Sequence, residues 1–407
     1  MTAIVGILNK RAAAIAADSA MTVKKDGQTK IYNNARKIFS LSENIPVGIM
    51  MSGNLEFMGM PWDVIFGQYR AYRNGKPLPR LKDYMADFLS FLTSFSHLNT
   101  KEAYSNYLYA ELGSFYYSTK SVVESRISKE RQKFNKNTFS EYLKDVMEEN
   151  VKMYKNDGQS ENMKGLSFKK FCAITKKQFD SLEDIMFEEG VYTKNTRDWK
   201  RIFYEYIISS CYLVESQIVF TGYGEDEIYP SLQAVTLSGI IDGKLRFRYD
   251  DEDEITDDSS SAIIPFAQSD VMIALLKGIA PDLYANIMEK VEEHVENVRN
   301  LMITSIRDAG YGNETKELLE SVSFSDLNKM FRDETLGYIR EHYTDGLLEA
   351  IDCFSVSEMA DMAENLISVT GLQRHYTSSE ESVGGPVNVA VITKEEGFRW
   401  IKMCGKL

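Results

Sequence analysis

The order of hydrophobic periods along the 407 residues limits the fold more than any single motif does. Period-two or continuous apolar runs mark strands, and apolar residues three and four apart mark helices. Residues 2–53 read as four short strands in two hairpins, with Asp26-Gly27 and Ser42-Glu43-Asn44 as turn signals. Helical spacing begins with Leu55, Met58, Trp62, Ile65 and Phe66 and persists over 80–215, where Tyr84, Phe88, Leu92 and Phe95 form one face. Tyr104, Tyr107, Leu108, Leu112 and Phe115 form another, and a tyrosine-rich stripe of this kind reads as helix-pair packing. Strands return over 217–224, 231–241 and 244–249, the last two joined by the hairpin signal Asp242-Gly243. The acidic run 250–258 reads as a solvated loop, because it lacks the glycine of a calcium-binding loop. Helices follow over 268–279, along the stripe Leu283, Ile287, Val291, Val295, Val298 and Met302, and over 314–343 and 357–372. Strands 387–392 and 398–403 close the chain.

This alternation predicts an α+β protein with two antiparallel sheets stacked between helical layers. Residues 1–64 and 216–407 would form the core, with extra helices over 281–350, and 65–215 would be an inserted helical region able to carry a partner.

Charge and composition narrow the function classes. A net charge of -13 and a pI near 5.0 argue against nucleic acid or an anionic membrane as partner. Cys172, Cys211, Cys353 and Cys404 are widely spaced, and the four histidines form no metal-binding pattern, so neither a disulfide frame nor a metal or other cofactor is expected. No leader and no membrane-spanning run are evident, and a cytoplasmic location is expected.

The residue behind the initiator methionine carries the chemistry. Removal of Met1 would leave Thr2 with a hydroxyl and a free α-amine, whose reference pKa is about 7.7–8.0. Such an amine can take the proton of the hydroxyl as it attacks a carbonyl. Asp18-Ser19-Ala20-Met21-Thr22 follows the second apolar run, Lys37 stands at the mouth of the third, and Ser52-Gly53-Asn54 breaks the fourth.

Thr2, an Asp18 sixteen residues later, Lys37 and the turn at Gly53 occur in an order that resembles proteasome β-subunits and related N-terminal-nucleophile hydrolases. The resemblance covers residues 2–60 and, more loosely, 216–280 and 355–403, where Gly384-Gly385 precedes the closing strands. It implies a four-layer α-β-β-α sandwich in which Thr2 is the nucleophile and Lys37 an ammonium beside it. Asp18 would hold that lysine, and the Gly53 N–H would receive the oxyanion. It further implies that Thr22 binds a substrate strand and that Met21, Met51 and Leu55 line a specificity pocket. Tyr223 and Val383 stand where the resemblance expects serines, leaving Glu380 or Ser382 to support the amine. The reaction expected is hydrolysis of a peptide or small amide by a homo-oligomer. The competing expectation is a non-catalytic scaffold.

Overall fold

The computed structural model describes residues 2–25, 28–156, 158, 160–189, 196–309, 325–377 and 383–403. Six strands come first: β1 (Ala3–Asn9), β2 (Ala12–Ala17), β3 (Met21–Lys25), β4 (Gln28–Tyr32), β5 (Ile38–Ser42) and β6 (Ile45–Gly53), followed by the two-residue strands β7 (Glu56–Phe57) and β8 (Met60–Pro61). Helices α1 (Trp62–Arg73), α2 (Leu81–Ser94), α3 (Lys101–Lys129), α4 (Lys136–Asn156), α5 (Phe168–Ile174), α6 (Lys176–Glu188) and α7 (Thr196–Ile208) come next. Then come β9 (Ser216–Gly222), β10 (Ser231–Ile241), β11 (Lys244–Glu254) and β12 (Ser261–Ala267). The chain continues through α8 (Asp270–Lys277), α9 (Pro281–Asp308), α10 (Ser325–Ile339), α11 (Asp345–Cys353) and α12 (Val356–Thr377), and it ends with β13 (Asn388–Thr393) and β14 (Gly397–Lys402). The class is mixed α and β with antiparallel sheets.

The chain divides into two compact units: residues 1–35, 255–391 and 400–407 form unit 1, and 36–254 with 392–399 form unit 2. The borders expected at 64/65 and 215/216 fall inside unit 2, where the helical block and the strands share one hydrophobic core.

Unit 1 is built on a sheet of order β12-β1-β2-β13-β14. Every residue of β1 and β2 is buried, which explains why both read as continuous apolar runs rather than alternations. The methyl groups of Ala12, Ala14 and Ala16 cluster with Met359, Ala360, Ala363 and Ile367, so that small side chains on both elements let α12 lie close to β2. Strand β12 lies in a stretch to which the sequence pattern assigned no element, and it contains Pro265. It pairs with β1, Pro265 opposite Val5, as the edge strand of the sheet, where a residue without an N–H is tolerated.

Unit 2 is built on a sheet of order β11-β10-β9-β6-β5, paired antiparallel throughout. The β10–β11 turn is made by Asp242 and Gly243, at φ 54° and 72°, the left-handed pair that an Asp-Gly hairpin demands. One core joins the sheet to α1–α7. Trp62, Phe66 and Phe88 have ring centroids 5.5–6.3 Å apart, and Phe88 meets Phe220 of β9 at 5.3 Å. Each such side chain, fully buried, contributes about 1.5–3 kcal/mol. The buried Tyr84, Tyr107 and Tyr116 belong to this core, as the packing reading of the tyrosine stripe expects.

Two other expectations change. Residues 2–53 hold six strands rather than four, because β3 and β4 form a further hairpin between the second and third apolar runs. Their β-branched residues are interleaved with lysines, which hides the pattern. Residues 250–254 of the acidic run lie in β11 rather than in a loop. As an edge strand β11 gains from carboxylates that deter pairing with another chain. The turn Asp26-Gly27 and residues 314–324 lie outside the described residues.

Candidate functional site

In unit 1 the β1–β2 hairpin pairs Ile4 with Ala17, which brings Ala3 level with Asp18. The Ala3 N–H donates to Asp18 Oδ1 at 3.0 Å, and the Asp18 N–H donates to the Ala3 carbonyl at 3.2 Å. Asp18 Oδ2 accepts the N–H groups of Ala20 at 3.2 Å and Gly384 at 3.3 Å. The Ser19 hydroxyl donates to the Pro386 carbonyl at 2.7 Å. Asp18 is 1% exposed, and its carboxylate, an acceptor only, is met by three backbone donors from three segments. Thr2 stands just before β1 and is 7% exposed, and its carbonyl accepts the Gln268 N–H at 3.0 Å. The peptide bond between Thr2 and Ala3 is thereby held at both its carbonyl and its N–H. Met21 opens β3 and is half-buried, and Thr22 lies opposite Ile31 in the same hairpin.

In unit 2 Lys37 directly precedes β5 and is 1% exposed, and its carbonyl accepts the Met51 N–H at 2.9 Å. Lysine is almost never this deeply buried unless its ammonium is partnered. Met51 belongs to the hydrophobic core of the unit, and Leu55 packs against that core. Gly53 ends β6 opposite Ser216 at φ 83°, and a Cβ there would come 2.4 Å from the Glu215 carbonyl oxygen. Any other residue is excluded on both counts. Thus Thr2 and Asp18 share the mouth of one hairpin, and Lys37 and Met51 share the mouth of another. Glu380 and Ser382 lie outside the described residues. Among the described residues no group of three His, Cys, Asp or Glu side chains could hold a metal ion.

One polar constellation was not foreseen. Glu111 on α3 and Arg246 on β11 form a fully buried ion pair at 3.0 Å. Glu111 Oε1 also accepts the hydroxyls of Tyr107 and Ser238, and Oε2 accepts that of Tyr206 at 2.9 Å. The guanidinium also donates to the carbonyls of Tyr206 and Cys211 and lies 4.9 Å from the ring centre of Tyr212. Burial pushes the Tyr107 and Tyr206 phenols above their usual range, so they serve as hydroxyl donors. The available signal was Glu111 itself, a charge set among Tyr107, Leu108, Leu112 and Phe115 on an otherwise apolar helical face.

No family model matches the sequence, and no curated protein matches it. Among solved structures the chain is similar to a Gly-1 mutant of Anbu from Hyphomicrobium sp. strain MC1, at 9% identity, covering 99% of this chain and 85% of that one, with a TM-score of 0.29. A score this low carries no argument about fold or activity. The resemblance to proteasome β-subunits is therefore withdrawn: no match to that family supports the motif order on which it rested. What stands are the residues and their surroundings.

Proposed function

We infer that the chain is a hydrolase of peptide or amide bonds that uses Thr2 as its nucleophile once Met1 has been removed. The observation that carries this reading is the confinement of Thr2. A residue next to a chain terminus is usually loose, yet this one is nearly buried, and the peptide unit that joins it to Ala3 is held at both its carbonyl and its N–H, the latter by a buried carboxylate. Pre-organisation of this kind suits a group that must meet a carbonyl at a fixed angle.

The reaction follows from the groups on one residue. The Thr2 hydroxyl oxygen attacks the amide carbon, and its proton passes to the α-amine. Collapse of the tetrahedral adduct breaks the C–N bond, the leaving amine takes that proton, and an ester to Thr2 remains. Water, deprotonated by the same amine, hydrolyses the ester and restores the hydroxyl. Asp18 acts as a positioning residue through the Ala3 N–H. The ammonium role of Lys37 and the oxyanion role of Gly53 are separate parts of the proposal, to be tested by substitution.

Intact-mass measurement with and without a β-lactone tests the reading. The expected result is a chain that lacks Met1 and gains one acyl group, with no gain in Thr2→Ala. Hydrolysis should rise with pH as the amine loses its proton, through a midpoint below the reference value of about 7.7–8.0, and Lys37→Ala should lower the rate and raise that midpoint. A retained Met1 together with no adduct overturns the proposal and leaves the non-catalytic scaffold.

A further inference from the structure

Helices α9 and α10 of unit 1 form an antiparallel pair. Just past the end of α10 the Thr344 hydroxyl donates to the Leu276 carbonyl at 3.4 Å, and the Tyr343 ring packs on Gly278, both partners lying just ahead of α9. Further along, Arg332 of α10 meets Glu292 of α9 at 2.7 Å. Between these contacts, movement up one helix is movement down the other. Lys290, two residues before Glu292, and Glu334, two after Arg332, therefore stand at one level.

Each helix carries more apolar surface than the described residues cover. Tyr284, Met288 and Val295 make the covered flank of α9, and Asn328, Thr335 and Ile339 that of α10. Beside its covered flank α9 sets Leu283, Ile287, Val298 and Leu301 within an arc of about 60°, and α10 sets Leu327, Phe331 and Tyr338 within about 40°. These seven are between 38% and 66% exposed. Glu292 and Arg332 lie on the other flank of each helix, so their pairing puts both apolar stripes on the same side of the hairpin.

Met302 and Met330 flank the stripes and are also exposed. At about 100 Å2 for each half-exposed large side chain, the face amounts to on the order of 900 Å2. The largest apolar patch of a monomer is about 300–600 Å2, and each partner in a stable complex gives about 800 Å2.

The charges within the stripes select the partner. Lys290 continues the α9 stripe between Ile287 and Val298, Glu334 continues the α10 stripe between Phe331 and Tyr338, and both are exposed. Lys290 pairs with Glu293 of its own helix, each about half exposed, so its ammonium can exchange partners. A two-fold rotation about an axis parallel to the helices lays α9 of one copy antiparallel over α10 of a second. Lys290 and Glu334 then meet twice at one level, with Ile287 over Tyr338 and Val298 over Leu327 in the layers around them.

We propose that α9 and α10 are the interface of a symmetric homodimer of this chain, an antiparallel four-helix bundle whose register is set by the reciprocal Lys290–Glu334 layer. A charged layer in an apolar seam fixes register at a cost in stability, so the dimer forms with concentration and parts on dilution. It requires no chemistry at Thr2.

Sedimentation equilibrium of the full chain from about 0.1 to 100 μM tests it. The mass should pass from one chain to two. Val298→Asp, at an exposed position, should raise the midpoint concentration about tenfold or more with unchanged circular dichroism. Lys290→Glu and Glu334→Lys each set like charges together and should each raise it about tenfold, and the double exchange should return it to within about threefold of wild type. A single chain at every concentration overturns the proposal, as does binding of that single chain to phosphatidylcholine vesicles in place of self-association. A dimer indifferent to Val298→Asp overturns this face as the interface, and a double exchange that restores nothing overturns the placement of α9 over α10.

Discussion

The helices of the two units bury their apolar faces to very different degrees. In unit 2, α1–α7 turn Trp62, Phe66, Phe88, Phe115, Trp199 and Phe203 into one core with the sheet. In unit 1, α9 and α10 leave much of their apolar surface outside: Leu283, Val298, Leu301, Met302, Met330 and Tyr338 are exposed, Leu301 at 66%. Both sets of helices read as amphipathic from sequence. An apolar stripe therefore states that a face needs covering, and only the fold states whether the same chain covers it. No single helix among the described residues is long and apolar enough to cross a membrane.

The largest test of the contrast is the ion pair at the centre of unit 2. Glu111→Leu leaves the Arg246 guanidinium buried without its carboxylate and should destabilise the protein by about 3–5 kcal/mol, read as a shift in the denaturant midpoint. Glu111→Leu combined with Arg246→Met should recover most of that loss, since a well-packed apolar pair often equals a buried ion pair. Failure of the double variant to recover would show that the surrounding hydroxyls, and not the pair, need the charges.

A smaller effect sharpens the comparison of helix faces. Ile65→Val, in the core of unit 2, should cost about 0.5–1.5 kcal/mol, whereas Leu301→Ala on the open face of α9 should stay within about 0.5 kcal/mol. A core-sized loss at Leu301 in dilute solution would show that the face is covered by another copy.

The smallest effect is a pH dependence. Glu189, near the end of α6, accepts from Tyr116 and Lys120 of α3. Burial raises its pKa, but the bonds from Lys120 and Tyr116 outweigh burial and hold it below the ordinary carboxylate value. A depressed pKa means that this contact stabilises above the unfolded value of about 4.5 and is lost as pH falls through the folded value. Wild type should therefore lose slightly more stability than Glu189→Gln between pH 5 and acid, in denaturant titrations at several pH values.

How much was legible depended on how local the signal is. The Asp242-Gly243 hairpin was readable because two adjacent residues determine it. That Ala3 and Asp18 meet follows from two apolar runs separated by a short turn. The donors from Gly384 and Gln268 were not readable, since their partners lie hundreds of residues away and backbone N–H groups leave no mark in a sequence. β12 was hidden by Pro265, β11 by its carboxylates, and Glu111 by the habit of assigning charges to surfaces. The family resemblance failed for a related reason: a threonine, an aspartate, a lysine and a glycine at suitable intervals are each common, and their order alone does not establish descent.

The alanines of β2 have an effect beyond their own strand. They work as a spacer whose thickness is one methyl group, and α12 rests on it. In the same unit Gly384 supplies an N–H that Asp18 accepts. A bulkier residue at Ala14 would lift the helix, and the displacement would arrive at the amino end of the protein from behind, through the carboxylate that accepts the N–H groups of both Gly384 and Ala3.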